Sequence, residues 1–65
     1  MNNYYFQYDR KGTDDGRFLS AKTDMAAMQQ LKYAGKGTLV REMQIGNWVE
    51  IFKRKKGNWT PIKGN

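Results

Sequence analysis

Tyr4, Phe6 and Tyr8 alternate with Tyr5 and Gln7, a period of two in residues that favour extended backbone, and this predicts a first strand. The strand runs out at Asp9-Arg10-Lys11-Gly12. The stretch Lys11-Gly12-Thr13-Asp14-Asp15-Gly16 gathers residues that tolerate positive φ or bond their own backbone, so a hairpin turn is expected there. Arg17 to Ala21 supplies a short second strand. The period then changes: Ala27, Met28, Leu31 and Ala34 recur at spacings of three and four, which lays an apolar stripe along a helix over residues 24–34. Thr23 or Ser20 can cap that helix, Asp24 complements its dipole in the first turn, and Gly35 suits a left-handed end.

Beyond Gly37 the period returns to two. Leu39, Arg41 and Met43 alternate with Thr38, Val40 and Glu42, and Val49, Ile51 and Lys53 alternate with Trp48, Glu50 and Phe52. These are two strands, 38–44 and 48–54, joined through Ile45-Gly46-Asn47. A turn at Lys55-Lys56-Gly57-Asn58 leads to a last strand from Trp59 to Lys63, in which Pro61 removes a backbone donor and therefore belongs on a sheet edge. The order is ββαβββ, an α+β class. Short connections imply antiparallel pairing, and one helix on one face of a five-stranded sheet is the simplest way to bury Met28, Leu31 and the inward strand residues together.

Strict alternation puts Val49 and Ile51 on one face and Trp48 and Phe52 on the other. If Val49 and Ile51 meet the helix, the two aromatics lie on the outer face, where with Tyr5 they form a patch for a second copy or another protein. Tyr4, Phe6, Trp48, Phe52 and Trp59 could equally fill the core or stack unpaired bases. A chain of 65 residues has little apolar material to spare, so core packing is the first expectation for any one of them.

Length limits the chain to one small domain over residues 1–65. With no cysteine and no histidine there is no disulfide, no thiolate metal site and no ordinary neutral-pH base, and no metal or cofactor is expected. The start Met1-Asn2-Asn3 shows no basic stretch followed by an apolar one, and no apolar run approaches the roughly 18–20 residues that span a bilayer. The expectation is a soluble chain, away from the membrane, in a reducing cytoplasm.

Charge adds the strongest asymmetry. Residues 1–31 balance Arg10, Lys11, Arg17 and Lys22 against Asp9, Asp14, Asp15 and Asp24, so the whole net charge of +6 lies from Lys32 onward, with Lys36, Arg41, Lys53, Arg54, Lys55, Lys56 and Lys63 against Glu42 and Glu50. A field this lopsided points to a polyanion or an acidic protein groove. Catalysis is poorly supplied. Asp14-Asp15 falls at a turn tip with no companion ligand, and Gly35-Lys36-Gly37-Thr38 precedes a strand where a phosphate loop precedes a helix. Lys53-Arg54-Lys55-Lys56 is the sharper feature: a charged corner for phosphates or acidic side chains, or a lysine-rich turn that keeps an edge hairpin soluble. Lys32, Lys36 and Arg41 lie near the helix-to-strand junction.

Gly37-Thr38-Leu39-Val40-Arg41, then Asn47-Trp48-Val49, Lys53 and finally Gly57-Asn58-Trp59, resembles the small type I-F anti-CRISPR proteins carried by phages and mobile elements. The resemblance in sequence is confined to the carboxyl-terminal half and extends to the rest only in element order. It implies a helix packed on an antiparallel sheet and a stoichiometric, non-enzymatic inhibitor working in the bacterial host's cytoplasm. Such an inhibitor binds the backbone subunits of the CRISPR surveillance complex (Cascade), blocks target DNA hybridisation, and can promote loose duplex binding. On that basis Lys36, Arg41, Lys53, Arg54, Lys55 and Lys56 are the expected contacts, with Trp48 or Phe52 as anchor, in a monomer or homodimer. Two other classes remain open: a small basic DNA- or RNA-binding accessory protein, and a sponge for a nucleotide signal with an enclosed basic-aromatic pocket.

Overall fold

Residues 1–12 and 14–62 are described by a computed structural model. The chain forms β1 (Asn2–Tyr8), β2 (Gly16–Ala21), α1 (Asp24–Gln30), β3 (Gly37–Gln44), β4 (Asn47–Lys55) and β5 (Asn58–Pro61). This is the expected ββαβββ order of an α+β chain, with one five-stranded antiparallel sheet and one short helix. The last strand ends at Pro61, before Ile62, and so is shorter than the expected Trp59–Lys63; Lys63 itself lies outside the described residues.

Across the sheet the strands run β2-β1-β3-β4-β5. Three of the four pairings join strands that are consecutive across a hairpin or turn, whereas β3 pairs with β1, and the connection bearing α1 carries the chain past β1 from β2 to β3. Pro61 falls on the outermost strand, where a missing donor disturbs the ladder least.

Register assembles the core. Tyr4 lies opposite Leu19 and Arg41, and Phe6 lies opposite Arg17 and Leu39, with Phe52 next in that row. Tyr4, Phe6, Leu19 and Leu39 thus share one side of the sheet, and they bury together with Ala21, Ala27 and Leu31. Ala27 and Leu31 stand four apart, the helical spacing seen in the sequence. Each large side chain so buried contributes about 1.5–3 kcal/mol. Gly37 lies between Tyr8 and Arg54 in the next row; a Cβ there would run into the Phe6 ring and the Gln7 carbonyl oxygen.

Thr23 caps the helix, its side chain accepting from the Ala26 N–H at 3.1 Å, and Asp24 stands in the first turn. The helix is shorter than its apolar stripe suggests. It ends at Gln30, with Leu31 as C-cap at φ −107°, and the chain continues in tight turns through Lys32, Tyr33 and Ala34. Nor does Gly35 take the expected left-handed conformation, which among the described glycines occurs at Gly12, Gly46 and Gly57. A side chain from another strand holds the segment that follows: Arg54 Nη2 donates to the Lys32 carbonyl at 2.8 Å and Arg54 Nε to the Ala34 carbonyl at 2.9 Å.

β3 and β4 are out of simple phase. Leu39 faces Phe52 but Val40 faces Glu50, so Ile51 is an extra residue in β4; a second irregularity falls between Glu42 and Gln44. An extra residue of this kind reverses the alternation on either side of it. Val49 therefore shares the side of Arg41 and Tyr4, and Phe52 shares the side of Leu39 and Phe6, while Trp48 pairs with Glu42 on the other side. The expectation that Trp48 and Phe52 lie on one face fails for this reason.

Candidate basic cleft and aromatic face

The lysines of β4 leave the strand on alternate residues. Lys53 lies opposite Thr38, Lys55 opposite Asn58, and Arg54 between them points to the other side. Together with Asp9, Lys36, Gly37, Thr38 and Arg54, the two lysines line a cleft of about 250 Å3. Lys36 is brought there by the junction before β3: Asp9 N–H donates to the Lys36 carbonyl at 2.9 Å, and Lys36 Nζ pairs with Asp9 Oδ2 at 3.3 Å. Both partners of that ion pair are exposed, so it contributes at most about 1 kcal/mol and yields readily to a stronger anion. Among the described residues Lys53 and Lys55 have no ion-pair partner. Lys56 follows in the β4–β5 turn.

The two expected arginines are placed differently. Arg54 is only 8% exposed. Its guanidinium lies 5.2 Å from the Trp59 ring centroid and donates through Nε and Nη2 to two carbonyls that follow α1, so two of its three nitrogens are engaged within the fold. Arg41 points to the core side, where Nη1 donates to Asp24 Oδ1 at 3.2 Å and Nε is buried without a partner among the described residues. The same Asp24 oxygen accepts from the Tyr4 hydroxyl at 2.7 Å, and the Asn2 side-chain amide donates to that hydroxyl at 3.3 Å. Burial, then the bond to Asp24, pushes the Tyr4 hydroxyl above its ordinary range. The expected cations thus divide: Lys36, Lys53 and Lys55 converge, Lys56 adjoins them in the turn, and Arg41 and Arg54 serve the interior.

The rings divide in the same way. On the core side Phe6 meets Tyr8 and Trp59, at 5.4 and 5.8 Å between centroids, and Phe52 meets Trp59 at 6.3 Å. On the opposite side Tyr5 meets Phe18 at 4.6 Å and Phe18 meets Trp48 at 6.1 Å. Those three rings, with Gln7 and Val40, line a shallow hollow of about 370 Å3. The Tyr5 ring lies over Gly16, where a Cβ would collide with it. Phe18 is 73% exposed and Trp48 38%. Gln7 pairs with Thr38 and Thr38 with Lys53, so one row across the sheet sets a residue of the hollow beside two of the basic cleft.

Two carboxylates share this side. Glu50 lies opposite Val40, and Glu42 lies opposite Trp48. Glu42 is engaged locally: it accepts from the Gly46 N–H and the Asn3 side-chain amide, both at 3.0 Å, and these bonds hold its carboxyl below the usual range. Phe18 is the member that strand alternation alone did not single out. A hairpin folded about Lys11-Gly12 pairs Tyr5 with Phe18, so the signal lay in the turn.

Compared with protein-family models, curated proteins and solved structures, the chain matches none. Among the described residues no helix is long and apolar enough to cross a membrane, and no group of three or more His, Cys, Asp or Glu is placed to hold a metal ion.

Proposed function

We propose that this protein is a non-enzymatic inhibitor carried by a phage or mobile element, which binds the backbone subunits of a CRISPR surveillance complex and keeps target DNA from hybridising. The observation that carries this reading is the convergence of Lys36, Lys53 and Lys55 on one cleft at the end of the sheet. Guide phosphates lying along the complex offer anions to such a cleft, and a small rigid body seated there blocks hybridisation by occupancy alone. The resemblance noted in the sequence supports it as well. Its residues fall on β3, β4, the β4–β5 turn and β5, adjacent strands that include the lysine-bearing one. In this reading the helix covers one face of the sheet, and the opposite face meets the complex with Lys36, Lys53, Lys55 and Lys56, Trp48 acting as the anchor.

The test is target-duplex binding by a purified type I-F complex with increasing amounts of the protein. Target binding should fall to background near one to a few inhibitor molecules per complex, and Lys53→Glu with Lys55→Glu should restore it. If saturating wild-type protein leaves hybridisation untouched, the proposal is wrong.

A further inference from the structure

We infer that the side of the sheet opposite the core is a binding site for an unpaired nucleic-acid strand, with Tyr5, Phe18 and Trp48 stacking bases and Lys53 and Lys55 holding phosphates. This goes beyond the inhibitor reading, because it requires no protein partner. Oligonucleotide binding by the isolated chain can hold or fail whatever the surveillance-complex assay gives.

The rings are placed as a platform. Phe18 stands on the edge strand β2 with 73% of its surface open to water, although the core on the other side is already filled by Tyr4, Phe6, Leu19 and Leu39. Tyr5 and Trp48 flank it at 4.6 and 6.1 Å, tilted by 51° and 67°, so the three rings line one hollow without stacking on one another. Aromatic side chains arranged along an open sheet accept bases whatever their sequence, because every base has a π-face.

Charge selects the occupant. The Gln7–Thr38–Lys53 row joins the rings to the lysines, so a strand laid across the hollow brings its backbone to Lys53 and Lys55. Two copies of the chain, each with a net charge of +6, repel one another, whereas a polyanion is attracted, and on this side Lys53 and Lys55 stand at the end of the sheet away from Glu42. The polar Asn3, Ser20, Gln7 and Thr38 lie on this same side, which suits base edges better than an apolar protein surface. Paired bases are excluded by shape: a ring on an open sheet can stack only on a base already out of the duplex.

Fluorescence anisotropy of labelled oligo-dT and oligo-U, about 12 nucleotides long to lie within the roughly 4–16 typical of small single-strand binders, tests this against a duplex of equal length. Single strands should bind at least about tenfold more tightly than duplex, since the stacking of even one base contributes that much. The dT and U arms separate a DNA ligand from an RNA one. Phe18→Ala and Trp48→Ala should each weaken binding about tenfold, while Trp48→Phe keeps a ring and most of the affinity. Lys53→Glu with Lys55→Glu should flatten the salt dependence by about 1.4 in log–log slope, two phosphate contacts at about 0.7 each. Thermal melting of each variant separates lost binding from lost folding. Equal affinity for duplex and single strand, unchanged binding by both ring variants, or no oligonucleotide binding at all would overturn the inference. So would a dimer in sedimentation that dissociates on Phe18→Ala while binding no oligonucleotide.

Discussion

The Tyr4 hydroxyl donates to Asp24 Oδ1 across 2.7 Å, tying β1 to the first turn of α1 at a point where Arg41 of β3 reaches the same oxygen at 3.2 Å. Three elements distant in sequence meet on one carboxylate. Tyr4→Phe keeps the ring in the core but removes this bond, and a hydrogen bond to a charged group contributes about 1.5–3 kcal/mol. The tyrosine hydroxyl is raised above its ordinary value of 10.0, so its contribution is complete below that pH. Above it the unfolded chain ionises first, and the contribution is lost as pH passes the raised folded value. Melting temperatures of wild type and Tyr4→Phe should therefore differ most below pH 10 and converge as pH rises past the raised folded value.

Arg54 and its neighbours Lys53 and Lys55 should separate cleanly by experiment. Arg54 donates to Lys32 and Ala34 carbonyls through two nitrogens and lies beside the Trp59 ring, a geometry an ammonium does not reproduce. Arg54→Lys is expected to cost about 1–3 kcal/mol in urea unfolding. Lys53→Glu and Lys55→Glu, on exposed positions, should stay within about 0.5 kcal/mol of wild type.

The β4–β5 turn contains a correctable strain. Lys55 pairs with Asn58, leaving Lys56 and Gly57 as a two-residue loop at φ 53° and 80°. Both positions ask for left-handed backbone, which asparagine and glycine tolerate and lysine resists. Lys56→Asn should raise stability by about 0.5 kcal/mol or more, and Gly57→Ala should lower it by about 1 kcal/mol, both read from denaturation midpoints.

Gly35 and Gly37 make a paired test of why each glycine is present. A Cβ at Gly37 meets the Phe6 ring and the Gln7 carbonyl, whereas one at Gly35 meets nothing within 4 Å and needs no left-handed backbone. Gly37→Ala should cost about 1–3 kcal/mol by overpacking. Gly35→Ala should be neutral or add up to about 1 kcal/mol by restricting the unfolded chain. A large loss at Gly35 would mean that it does end the helix, as its position in the sequence suggests.

What could be read from the sequence was local. The Tyr4–Phe6 phase, the Thr23 cap, the edge position of Pro61 and the hairpin at Lys56-Gly57 each follow from neighbouring residues, and each is present. What could not be read depends on distant partners. The segment after the helix is held by a guanidinium from β4, twenty or more positions away, which no periodicity in residues 24–34 can report. The side on which Phe52 lies is set by the extra residue at Ile51, visible only once β3 supplies the count against which it is extra. The opposite faces of Lys53 and Arg54 follow from strand alternation, but the use that Arg54 has in the interior is revealed only by the packed helix.

That extra residue at Ile51 has a consequence for how such a chain can change over generations. Substitutions of the exterior rings and of the core act on opposite sides of the sheet. A codon deleted or inserted between Val49 and Ile51 is different, for it would exchange Trp48 and Val49 between the wet and dry sides in one step. Divergence at this hairpin should therefore proceed by replacement, with its length held fixed.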